Sequence, residues 1–184
     1  MKKVFLLLIG FILISTIAVF LYFTFTEHVI TIPEETIQEK IDTQLPVTKN
    51  YLFIFDVTLD NPRVNLLEGS NRINAGLDVY VNIKINEQDK TLGGTVDASG
   101  SLVYVAEEGA FYLSEPIIES LSVQGVPEKY TDIVSSAIEK LLVGFYSSRP
   151  VYKLKPTDIK QAAAKNALKS LVVRDQAMVV TLGI

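Results

Sequence analysis

The spacing of apolar residues changes character several times along the chain. Residues 4–25 form an unbroken uncharged apolar run, and at about 1.5 Å of rise per residue a helix of that length reaches roughly 33 Å, enough to cross a hydrocarbon core. After a short extended stretch, Pro33 opens a predicted helix to about residue 44, with Glu34 and Glu35 in its first turn and Ile37, Ile41 and Leu45 on one stripe. Pro46 stops it. The period then becomes two. Tyr51, Phe53, Phe55, Val57 and Leu59 alternate with a face ending in Asp56, Thr58 and Asp60, as in a half-buried strand.

Residues 72–86 give the clearest strand signal. Ile73, Ala75, Leu77, Val79, Val81, Ile83 and Ile85 fill one face, while Arg72, Asn74, Asp78, Asn82, Lys84 and Asn86 fill the other. A turn at residues 87–90 predicts an antiparallel hairpin into a strand at 92–105, followed by a fourth strand at 110–123 in which Pro116 marks a bend or an edge. Between residues 128 and 147 the period returns to helical, with Tyr130, Ile133, Val134, Ala137, Ile138, Leu141, Leu142, Phe145 and Tyr146 spaced by three and four. Residues 151–154 read as extended and 156–167 as a shorter Ala-rich helix. Residues 171–174 and 178–182 read as a closing hairpin.

A long amphipathic helix laid on the apolar face of a long antiparallel sheet is an α+β arrangement. The inward phase of the third strand is Leu92, Gly94, Val96, Ala98, Gly100, Leu102 and Tyr104, and three of these seven fill little volume. Two readings follow. Either small residues let the sheet coil tightly around the helix, or they line an elongated apolar cavity.

Charge and composition orient the molecule. Lys2 and Lys3 precede the apolar run, so the bias of cationic flanks keeps the N-terminus cytoplasmic and exports the chain from Glu27 onward. Phe20, Tyr22, Phe23 and Phe25 cluster at the outer end of the run. A cleaved signal would need a shorter apolar core and a small-x-small site; Thr16 and Ala18 come nearest, but residues 19–25 continue apolar beyond them. The expected organisation is therefore a signal anchor at 1–26, spanning at about 4–25, and one exported domain at 27–184. That domain has 158 residues and 15 cationic against 21 acidic side chains, a net of about −6, which argues against nucleic acid as a partner. The chain has no cysteine, which removes disulfides, thiolate metal sites and N-terminal lipidation on cysteine.

Candidate chemistry is sparse. The one histidine, His28, follows the anchor directly and reads as a juxtamembrane surface group. Glu34 and Glu35 fit a helix N-terminus, Glu39 and Asp42 a solvated helix face, and Glu107 and Glu108 a turn before Gly109. Gly93 and Gly94 lie within strand alternation, away from any strand-to-helix turn that would cradle phosphate. Lys153 and Lys155 read as a solvated strand face. These residues predict a binder or carrier, with no enzyme activity, cofactor or metal.

The order of elements carries a resemblance. TIPEETIQEKIDTQL at the entry, the pair around NRINAGLDVYVNIKIN and TLGGTVDASGSLVYV, the helix IVSSAIEKLLVGFYSSRPVYKL and the C-terminal hairpin resemble the YceB-like family of bacterial envelope lipoproteins over residues 29–184. Its most specific part is the aromatic helix end running into Arg149, Pro150, Val151, Tyr152 and Leu154. That family is similar in fold to tubular lipid-binding (TULIP) domains, in which a strongly curved sheet wraps one long helix around an apolar channel. The resemblance implies a lipid or another elongated apolar ligand. The lipoprotein members carry an acylated cysteine that this chain lacks, so the expected location is the bacterial inner membrane, single-pass, with a periplasmic C-terminal domain. Expected cavity residues are Val79, Val81 and Ile83 from the sheet and Ile133, Ala137, Ile138 and Leu141 from the helix, each of which also fits an ordinary core. The alternative is a structural or chaperone-like envelope module with a packed interior that binds protein partners.

Overall fold

The computed structural model describes residues 12–17, 28–51, 54–85, 88–155 and 168–183. Of the expected span only residues 12–17 fall among these; they are helical and exposed. Among the described residues no helix is long and apolar enough to cross a membrane. The expected helix at 156–167, Phe53 and the side chain of His28 lie outside the described part.

The described part of the chain is mostly sheet with few helices. In chain order it runs β1 (His28–Pro33), α1 (Glu34–Asp42), β2 (Val47–Tyr51), β3 (Phe55–Leu66), β4 (Arg72–Ile85), β5 (Gln88–Val105), β6 (Ala110–Val123), a 3-10 turn (Glu128–Tyr130), α2 (Thr131–Ser148), β7 (Tyr152–Lys153), β8 (Leu168–Arg174) and β9 (Ala177–Leu182). Strands β2 to β7 form one antiparallel sheet in sequence order, and β1, β9 and β8 form a second. The two-residue turn between β8 and β9 places Asp175 and Gln176 at φ 52° and 56°, the left-handed pair that a tight hairpin requires.

The expected strand from Tyr51 is instead two. Val47–Tyr51 is a strand of its own, and Tyr51 lies opposite Phe55 across a turn in which Ile54 N donates to Tyr51 O. The apolar alternation of 51, 53 and 55 passes through this turn, so period alone does not reveal it. The two rings stack with centroids 5.6 Å apart.

Strand β4 behaves as its pattern predicts. Ile73, Ala75, Leu77, Val79, Val81 and Ile83 are all buried, and the first five meet Gly100, Ala98, Val96, Gly94 and Leu92 of β5 in register. Together with Phe55, Val57 and Leu59 of β3 they make one apolar face, buried in a cluster that includes side chains from both helices and both sheets. The β3–β4 turn joins the sheets through backbone bonds, Gly69 N to Val173 O and Val173 N to Ser70 O.

Beyond Leu59, β3 has no partner from β2, and α1 covers that edge. Glu34 Oε2 accepts from Leu66 N at 2.7 Å, and Gln38 accepts from Val64 N and donates to Pro62 O. Glu34 thus does more than favour a helix dipole. It closes an open strand edge.

Register shifts bend the sheet. One lies in β3 between Asp60 and Arg63, and two lie between β5 and β6, where Glu115 takes φ 49° next to Pro116. The small residues of β5 have their explanation here. A Cβ on Gly94 would fall 2.1 Å from Ser122 O, and one on Gly100 2.7 Å from Leu113 Cδ1, so both positions serve close approach of β6. Gly93, one residue away on the outer face, has nothing within 4 Å of an added Cβ. Gly94→Ala is expected to lower stability by about 1–3 kcal/mol, while Gly93→Ala is neutral or slightly favourable, as thermal melting of the two variants will test.

Candidate functional site

Helix α2 is the element most at stake in the sequence reading. Val134, Ala137, Ile138, Leu141, Leu142, Phe145 and Tyr146 form its buried stripe. Ile133 does not belong to it. It is 47% exposed, because at about 100° per residue it lies one step round the helix beyond Ala137, at the margin of the stripe. Arg149 takes an extended conformation (φ −128°, ψ 129°) that ends the helix, and Val151, Tyr152 and Leu154 of the following segment are buried.

The helix touches strands near both ends of the sheet. On one side Tyr51 donates its hydroxyl to Ala137 O at 2.9 Å, pinning β2 to the middle of α2. On the other, α2 packs along β6, where Leu121 and Val123 face Val134 and Ile138. In a flat sheet β2 and β6 would stand four strand spacings apart, about 19 Å, whereas a helix with side chains is about 10–12 Å across. Both ends of the sheet therefore turn toward the same helix.

Hollows flank α2 on each side. Between α2 and β2 lies one of about 450 Å³, lined by Tyr51, Asp132, Ile133, Ser136, Ala137 and Lys140. It shares Lys140 with a smaller hollow of about 210 Å³ nearer the helix end, where Val47, Lys49, Leu141, Gly144, Phe145, Ser148 and Arg149 complete the wall. The helix contributors recur at spacings of three and four and the strand contributors, Val47, Lys49 and Tyr51, at spacings of two. One flank of the helix thus faces one side of the strand. Across the helix, Ile138 lines a separate hollow of about 300 Å³ with Leu121, Val123, Val126 and Val134.

The seven expected cavity residues separate accordingly. Ile133, Ala137 and Leu141 line the β2 side of α2 and Ile138 the β6 side. Val79, Val81 and Ile83 are at most 1% exposed and line none of these hollows; they form the apolar sheet face behind the helix. Sequence reasoning missed Tyr51, Lys49, Lys140 and Arg149. Lys49 and Tyr51 share a phase on β2, and that phase was a detectable signal once β2 is separated from β3.

Burial raises the pKa of the Tyr51 phenol and, more strongly, that of Tyr146. The Tyr146 ring meets that of Phe145 edge to face with centroids 5.2 Å apart, and its buried hydroxyl has no hydrogen-bond partner among the described residues. Among the described residues no group of three or more His, Cys, Asp or Glu is arranged to hold a metal ion. The most buried polar side chain, Ser99, accepts from Arg72 at 2.8 Å and donates to Glu119 at 2.6 Å, tying β4, β5 and β6 together on the face opposite the apolar one.

These features define an α+β domain built from a long antiparallel sheet and one long helix, with open hollows along both flanks of that helix. Residues 32–177 match the family described as a protein of unknown function (DUF1439), and the chain belongs to that family. No curated protein matches it.

Half-buried Tyr51 and buried Tyr146 give opposite expectations for one chemical change. Tyr51→Phe loses a bond to Ala137 O and should lower stability by about 0.5–1.5 kcal/mol, whereas Tyr146→Phe removes an unpaired buried hydroxyl and should raise it by about 1 kcal/mol. Melting temperatures of the two variants of the full-length protein, measured side by side, check both signs.

Proposed function

We propose that this protein is a membrane-anchored, non-enzymatic domain that holds a lipid or another elongated apolar ligand along α2. The observation that carries the reading is the pair of hollows between α2 and β2, which follow one flank of the helix from Ile133 to Arg149. From Ile133 to Phe145 the helix rises about 18 Å, so the trough suits a chain and not a compact solute. The likeness to tubular lipid-binding domains supports the same reading, since there too a bent sheet closes on a single helix. The fully buried Val79, Val81 and Ile83 then serve as the apolar wall that holds the helix in place, and Ala137 and Leu141 meet the ligand.

In this proposal residues 4–25 anchor the chain in a bacterial inner membrane with the domain on the periplasmic side. A carrier on so short a tether works within reach of its lipid source. Binding is driven by removal of apolar ligand surface from water, at about 25 cal/mol per Å² before the costs of association.

A second reading, a packed envelope module that binds proteins, is favoured by one observation. Strand β7 pairs only with Ala110 and Phe111, which leaves the outer edge of β6 beyond them without a strand partner among the described residues. Such an edge can accept an added strand.

Native mass spectrometry of the full-length protein, released from micelles in the gas phase, separates the two. The lipid reading expects a lipid adduct that Ser136→Trp removes, because Ser136 is exposed and lines the hollow that the indole would fill, while the melting temperature stays close to that of the parent. Adducts equal in both proteins would be lipids on the anchor. That result, or no adduct at all, would reject the trough as a lipid site and favour the packed module.

A further inference from the structure

The trough between α2 and β2 has a charge polarity that an apolar ligand alone does not need. At its outer end Lys49, Lys140 and Arg149 converge on the smaller hollow, and no residue lining that hollow is acidic. The one carboxylate on the trough, Asp132, lines the other hollow, at the far end of the helix. Three cations gathered in this way stand out in a chain whose formal net charge is −4.

The guanidinium of Arg149 is held in position. It lies 4.8 Å from the centre of the Phe145 ring and donates to Gln44 O at 3.3 Å, which leaves other donors of its fork open to the hollow. Lys49 Nζ lies 5.8 Å from the Tyr51 ring. The negative end of the α2 dipole acts against an anion here, but the hydroxyls of Ser147 and Ser148 already donate to Val143 O and Gly144 O, and three full charges outweigh a partial one.

Gly144 supplies a second, independent observation. Glycine in a helix interior is unfavourable relative to alanine, and close packing usually explains it. Nothing lies within 4 Å of a Cβ built at Gly144, and the residue opens directly onto the hollow lined by the cations. Its missing side chain leaves a notch in the trough wall between Leu141 and Phe145.

We infer that the trough takes a single-chain anionic amphiphile, its acyl chain along α2 and its anionic head group at Lys49, Lys140 and Arg149. This rests on the lipid-binding reading and adds to it the sign of the head group and the direction in which the ligand lies. A charge-assisted contact replaces water at the rim, while the notch at Gly144 lets the chain pass from Leu141 to the head-group end.

The test uses two photoactivatable probes of equal chain length on the full-length protein, a diazirine-bearing long-chain fatty acid and the corresponding fatty alcohol, with labelled peptides located by mass spectrometry. The acid should label the α2 and β2 walls at least about tenfold more strongly than the alcohol. Replacing all three cations (Lys49→Gln, Lys140→Gln and Arg149→Gln) should bring the acid down to the alcohol's level and leave the alcohol unchanged. Gly144→Leu should suppress both probes without lowering the melting temperature, because leucine is the better helix former, so lost labelling could not be attributed to unfolding. Equal labelling of the trough by acid and alcohol would overturn the anionic preference and leave lipid binding standing. Acid labelling confined to other surfaces would overturn the assigned site, and no labelling by either probe would overturn this inference together with the reading beneath it.

Discussion

The structure depends on covering one apolar sheet face that is too large for the helix laid on it. Strand β4 alone presents buried side chains from Ile73 to Ile83, and its 14 residues extend about 46 Å, whereas the 18 residues of α2 extend about 27 Å. A flat sheet would leave much of that face in water. The molecule meets the constraint in two ways: the sheet bends so that strands near both ends reach α2, and α1 with the three-stranded sheet buries the remainder in the same cluster.

Bending has local causes that can be named. Bulges at Pro116 and after Asp60 shift the register, and glycines at 94 and 100 admit the β6 backbone and Leu113 where a Cβ would collide. The open sheet also leaves strand edges, and the chain treats them differently. Glu34 and Gln38 close the outer half of β3 with side-chain bonds, whereas β7 covers only the first residues of β6. The closed edge lies beside the core that joins the two sheets. The open one lies beside α2, the element with hollows along it.

Much of this was legible because burial imposes a period. The face of β4, the stripe of α2 from Val134 to Tyr146 and the terminal hairpin all follow from spacing, and the irregularity in β6 follows from Pro116. What spacing could not show was where a regular pattern passes through a turn, as it does between Tyr51 and Phe55, or which small residues are small for contact. Gly94 and Gly144 look alike in a sequence, yet one is pressed against Ser122 O and the other faces open space. Ile133 shows the same limit on the helix. Periodicity assigns it to the stripe, but the angular width of the buried face leaves it outside.

That difference at Ile133 bears on where a ligand can lie. The sequence reading set the ligand between the centre of the helix and the centre of the sheet, and there Val79, Val81, Ile83 and Ile138 are all at most 1% exposed. Displacing such side chains would cost the packing that holds α2 in place. The margin of the stripe is different: Ile133, Ala137 and Leu141 already border open volume, and Tyr51 bonds to the backbone of α2 without filling the space on either side. A ligand lying at the margin can enter and leave without opening the core. For a domain whose buried face is this extensive, access along the flank demands less rearrangement than access through the middle.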